Sequence, residues 1–151
     1  MQINTILGAL FAATASGAAL EYRSSLVYNI TGFSASCYPA SDQCGYGFRV
    51  RLSTAGPDSE GTICGNLVTG PDILPPLDLT SCFEPSLAYS VAQADGGLIV
   101  TVTSAIDAHT NATGTHTVSA DQIYFRVIDG QSMQVYDGSP TFTMDTIEVA
   151  V

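Results

Sequence analysis

Residues Tyr46 to Leu52 read YGFRVRL. Tyr46, Phe48, Val50 and Leu52 alternate with Gly47, Arg49 and Arg51, a period of two that lines one face of a pleated strand and cannot line one face of a helix. The segment is a strand with a dry side and a wet side, and its neighbours repeat the pattern. Leu87, Tyr89 and Val91 alternate likewise. Asp95-Gly96-Gly97 then supplies residues that tolerate the positive φ of a tight hairpin, and Leu98 to Thr103 continues as a β-branched run. Asp129-Gly130 and Asp137-Gly138 separate QIYFRVI, QSMQVY and TFTMDTIEVAV, and SLVYNIT (Ser25 to Thr31) and TICGNLV (Thr62 to Val68) precede them. About eight strands with turn signals at intervals of about 8–12 residues predict an all-β fold, a compact antiparallel β-barrel or sandwich. The Pro-rich stretch Gly70 to Pro76 reads as a loop, and the Asn/Thr/Gly-rich AHTNATGTHT as another.

Composition narrows the function classes. The chain has 151 residues, with 14 Asp+Glu against 4 Lys+Arg and a formal net charge of -10. Such a surface repels phosphate backbones and anionic headgroups, so neither nucleic acid nor membrane is expected as a partner. Hydrophobic residues make up 46% and charged residues 12%, which supplies enough apolar surface for a folded core.

Residues 1–19, MQINTILGALFAATASGAA, combine an apolar stretch with small residues near Ala18 and Ala19, the pattern of a signal peptide. Thr, Ser and Gly crowd this stretch too densely for a spanning helix. The expectation is a secreted protein with a single β-domain over residues 20–151.

Cysteine usage agrees with export. Cys37, Cys44, Cys64 and Cys82 form an even set in a small chain without CxxC spacing, which reads as two disulfides rather than a metal site or catalytic thiols. Of three connectivities the sequential one, Cys37 with Cys44 and Cys64 with Cys82, is favoured because each loop is short and rich in turn formers. The chain-entropy relation gives them about 2.5 and about 3 kcal/mol of stabilisation. Asn29-Ile30-Thr31 and Asn111-Ala112-Thr113 are candidate N-glycosylation sites.

The chemical inventory is short. There is no nucleophile elbow, zincin helix motif, phosphate-cradling loop or EF-hand spacing, and no cofactor is implied. His109 and His116 are the two histidines, an acid–base pair for a small hydrolase or, with Asp107, a metal site; exposed loop histidines are the plainer reading. Asp58 and Glu60 lie in a solvated GPDSEG turn, not a glycosidase pair. Arg49 and Arg51 share a strand face suited to recognising a carboxylate or phosphate, with ion pairs to surface Asp or Glu as the plainer reading. The seven tyrosines offer a sugar or partner surface, although alternating strand tyrosines are usually packing residues. No catalytic residue is assigned, and the expectation is a protein that is not an enzyme.

The layout resembles a known family. An aromatic-led strand, a Cys-containing loop, an F-x-V strand (Phe48, Val50), a G-x-x-C strand (Gly61 to Cys64), a Cys some 18 residues on (Cys82) and a Leu-led strand after a Gly hairpin (Gly96-Gly97-Leu98) follow one another over Val27 to Val102. This is similar to the small secreted fungal proteins related to the major allergen of Alternaria and to hypersensitive-response-inducing elicitors. The resemblance implies a compact β-barrel able to dimerise, no enzymatic activity, perception by plants or action on plant defence proteins, and an intrachain bridge at Cys64–Cys82. The chain departs from the best-known members in lacking a carboxy-terminal Cys pair and Trp.

The expected function is thus a secreted fungal effector- or elicitor-like, allergen-like binding protein at a host or cell-wall interface. Its partner would be a plant protein or small ligand, and it would act as monomer or homodimer. The alternatives are a small hydrolase using His109 and His116, or a carbohydrate-binding cell-wall module.

Overall fold

The structure is a computed structural model and describes residues 26–151. The signal-peptide reading of residues 1–19 lies outside the described residues, as do Tyr22, Arg23 and the first residue of the Ser25 to Thr31 strand.

Among the described residues ten strands run in chain order: β1 (Val27–Cys37), β2 (Gln43–Leu52), β3 (Thr62–Thr69), β4 (Leu77–Ser81), β5 (Leu87–Ala94), β6 (Gly97–Asp107), β7 (Thr110–Val118), β8 (Ile123–Ile128), β9 (Gln131–Tyr136) and β10 (Phe142–Ala150). Eight form a continuous antiparallel path in the order β3-β2-β1-β10-β7-β6-β5-β4, curled into a nearly closed barrel. The β8–β9 hairpin lies off this path and joins it where Ser36 of β1 meets Val135 of β9.

Alternation decides what faces inward. Cys44, Tyr46, Phe48 and Val50 of β2 are buried, as are Leu87, Tyr89 and Val91 of β5 and Leu98, Val100 and Val102 of β6. On β1 the phase changes, with Tyr28 and Ile30 buried and then Phe33, Ala35 and Cys37. The register shift between Thr31 and Ser34, with Gly32 at φ 64°, is the bulge that moves the inward set by one residue. Across the interior, Ser104 Oγ donates to Tyr28 Oη (2.6 Å), which donates to the Ala112 carbonyl (2.8 Å), so these buried polar groups are paired.

One sequence reading is corrected, and one strand the sequence did not announce is added. AHTNATGTHT is no loop: Thr110 to Val118 is β7, in register with β6 and with Thr146 to Ala150 of β10. It was illegible because its turn at Ala108 and His109 carries no Asp-Gly or Asn-Gly signal, and a register shift between Ala105 and Asp107 takes the place of positive-φ geometry. Leu77 to Ser81 is the short edge strand β4, directly after the Pro-rich stretch. Asp95-Gly96 and Asp129-Gly130 do form two-residue hairpins with both φ positive, whereas Asp137-Gly138 lies in the longer connection to β10.

Candidate binding surface

Both disulfides are formed, Cys37 to Cys44 and Cys64 to Cys82, and the described residues contain no free cysteine. The second occupies a particular place. β3 and β4 are the two ends of the strand path, and Cys64 on β3 is bonded to Cys82 immediately after β4. Beside it Phe83 N donates to the Ile63 carbonyl (2.8 Å), and Tyr89 Oη of β5 donates to Asn66 Oδ1 of β3 (2.8 Å). Burial raises the Tyr89 pKa to about 12, so the phenol remains a donor throughout the working pH range.

The outside of this seam is apolar. Along β3 the inward Cys64 alternates with outward Ile63 and Leu67, which are 51% and 63% exposed; Leu79 on β4 is exposed and Phe83 is 86% exposed. Isolated exposed apolar residues are ordinary; here four large ones lie along one seam, the kind of surface on which another molecule can dock. Arg49 lies opposite Ile63 on β2, and the half-exposed Tyr38 ring covers Gly45, which lies opposite Leu67. Gly45, Gly47 and Gly65 take the outward positions in the alternation on β2 and β3, with Gly45 beneath the Tyr38 ring.

At one end of the barrel the Gly70 to Pro76 loop folds across as a strap. Leu74 N donates to Gln134 Oε1 (2.9 Å), Gln93 Nε2 to the Leu74 carbonyl (2.8 Å), and Tyr46 Oη to the Pro75 carbonyl (2.6 Å). These bonds seat Leu74, 1% exposed, in the core. Between strap and β5–β6 hairpin is a cleft of about 270 Å³, walled by Ile73, Leu74, Leu98, Ile123 and Gln134, with Asp95 at the turn.

The residues singled out in the sequence are dispersed. His109 is exposed at the β6–β7 turn, its backbone N–H bonded to Asp107 Oδ1 (2.7 Å). His116 is half-buried on β7, stacked on Phe142 with ring centroids 3.7 Å apart. The extended backbone between them spans about 20 Å at ~3.3 Å per residue, so the fold does not bring them together as an acid–base pair. Among the described residues no group of three His, Cys, Asp or Glu is placed to hold a metal ion. Asp58 and Glu60 are exposed in the β2–β3 connection. Asn29 and Asn111 are half-buried on β1 and β7. Tyr28, Tyr46 and Tyr89 are core residues with satisfied hydroxyls, Tyr136 is half-buried, and Tyr38 and Tyr124 are exposed. Phe83 escaped the sequence reading; its signal was a large apolar residue beside Cys82 in an otherwise polar turn.

No protein-family model matches the chain, and no curated protein sequence matches it. What fold and surface define is a class: a disulfide-stapled antiparallel β-barrel with an apolar seam. Its bridges suit an oxidising, extracellular type of environment. No helix among the described residues is long and apolar enough to cross a membrane.

Proposed function

We propose that this is a secreted fungal effector- or elicitor-like binding protein, similar to the Alternaria-allergen group, which acts at a plant-host or cell-wall interface through its shape and without catalysis. The observation that carries the reading is the seam patch of Ile63, Leu67, Leu79 and Phe83, held in place by the Cys64–Cys82 bridge. What supports a partner there is not Phe83 alone but the row of exposed Ile63, Leu67, Leu79 and Phe83 along one seam of a chain with formal net charge -10. Two further features support it: the amino-terminal signal-like segment and the dispersal of His109 and His116. That dispersal favours binding over the hydrolase alternative.

The test is infiltration of purified protein into leaf tissue, alongside a Phe83→Asp, Leu67→Asp double variant whose fold is checked by circular dichroism. A defence response with wild type that the variant loses is expected. Neither a response nor a captured plant protein with wild type would overturn the proposal. Selective retention on chitin or glucan, weakened by Tyr38→Ala, would instead establish the carbohydrate-binding alternative.

A further inference from the structure

The outer edge of β8 is covered by no described strand. β3 and β4 end the sheet path but face one another across the stapled seam. β8 pairs with β9 on one side and with no other described strand. Its backbone polarity follows from the turn. Asp129 (φ 51°) and Gly130 (φ 79°) make a two-residue hairpin in which Ile128 and Gln131 exchange hydrogen bonds. Ile128, Arg126 and Tyr124 therefore turn their N–H and C=O groups to β9, and Val127, Phe125 and Ile123 turn theirs away. The Ile123 N–H is indeed taken on the far side by the Ala120 carbonyl. Among the described residues, Phe125 and Val127 present the remaining open pairs.

Their side chains carry none of the usual protection of an edge. Phe125 is 55% and Val127 68% exposed, and Ile123 to Ile128 contains neither Pro, Lys nor carboxylate. Arg126, its one charge, alternates away from that face and donates to Tyr124 Oη (3.1 Å). The Ile123, Phe125 and Val127 face leads into the cleft walled by Ile73, Leu98 and Ile123. Exposed carboxylates frame it: Asp95 at the cleft, Asp121 before β8 and Asp129 after it.

We infer that β8 is a docking edge that takes an extended basic peptide strand from a partner protein, with backbone bonds to Phe125 and Val127, alternate apolar side chains along Phe125 toward the Ile123 cleft, and Lys or Arg at its ends against Asp121 and Asp129. The mode is strand addition, in which main-chain bonds give affinity and pockets for alternate side chains give specificity. It rests on the reading of the protein as a binding module. A second copy is the poorer occupant: each copy carries a formal net charge of -10, and antiparallel pairing of two β8 edges about Phe125 brings Asp121 of one toward Asp129 of the other.

The probe is fluorescein-labelled acetyl-Lys-Val-Thr-Val-Thr-Val-Lys-amide, titrated by anisotropy against the oxidised full chain, with a Glu-for-Lys peptide and a peptide N-methylated at alternate residues as controls. Val127→Pro removes an outward N–H while sparing the β9 ladder, and Phe125→Lys keeps the backbone but opposes a basic ligand. Saturable binding of the basic peptide is expected, weakened about tenfold or more by Val127→Pro, by Phe125→Lys and by either control peptide. The Phe125 and Val127 amides should exchange rapidly in the free protein and slowly in the complex. Equal binding of the Lys and Glu peptides, or indifference to both variants, would overturn the inference. So would slow exchange of these amides in the free monomer, which would mean that the edge is already covered, or self-association abolished by Val127→Pro. If the peptide fails while the seam variant still loses the leaf response, the binding function stands without the β8 site; if both fail, the function falls too.

Discussion

Cys64 of β3 and Cys82, one residue beyond β4, are bonded to each other across the gap between the two ends of the eight-strand path. A covalent link stands where ladder hydrogen bonds would otherwise continue. The ends it joins are supplemented by the Phe83 N to Ile63 O and Tyr89 Oη to Asn66 Oδ1 bonds.

Removing that link should open the seam first. The Cys64→Ala, Cys82→Ala double variant is expected to lose about 3 kcal/mol in urea unfolding, from the chain-entropy relation for a loop of this length. Hydrogen exchange should accelerate in β3 and β4 more than in β6 and β7. Uniform acceleration over all strands would contradict a bridge acting at the seam.

Tyr28 links β1 to β6 and β7 through one buried hydroxyl. Tyr28→Phe strips Ser104 Oγ of its acceptor and the Ala112 carbonyl of a donor, at a cost of about 1–3 kcal/mol for buried groups left unpaired. Combining it with Ser104→Ala should cost less than the sum of the two single variants, as urea midpoints would report.

His116 supplies a pH dependence. Burial disfavours its charged form, so its folded pKa lies below the ordinary 6.5. As pH falls through 6.5 the unfolded chain gains this proton before the folded one, so stability present above that pH is lost until the folded ring also titrates. The melting temperature of wild type should fall more between pH 7.5 and 5 than that of His116→Phe, which keeps the stack on Phe142 without a titrating ring. Parallel pH profiles would refute the assignment.

Gly97 starts β6 where backbone crowds backbone. A Cβ there would sit 2.0 Å from the Val118 carbonyl oxygen, an atom that β-ladder pairing holds in place. Gly97→Ala should destabilise by several kcal/mol or prevent folding, whereas Gly130→Ala, which meets no atom within 4 Å, should cost only the strain of its positive φ, about 1 kcal/mol. Denaturant midpoints separate the two.

Strand content was legible wherever one residue's polarity reported its face. YGFRVRL and the Leu87 to Val91 alternation needed no partner to be read, and Asp-Gly pairs announced two hairpins because positive φ restricts which residues can stand there. β7 was missed because its inward positions, Ala112 and Gly114, are small and His116 fills a place where an apolar residue is expected. Gly114 is small for a reason outside its own segment, since Met144 Cβ would lie 2.9 Å from a Cβ there and Tyr28 only slightly farther.

The chain by itself thus determined an antiparallel all-β protein with two short-loop disulfides, because alternation, turn chemistry and cysteine spacing act over a few neighbouring residues. Only the tertiary structure decided that Cys64–Cys82 spans a seam, that Ile63, Leu67 and Phe83 lie exposed along its outer side, that no described strand pairs with the outer edge of β8 and that the two histidines stand apart. Those relations depend on which distant strands meet and in what register, such as Val27 with Asp145 and Thr146 with Gly114. Such pairings are selected by the packing of the whole core rather than by any local segment.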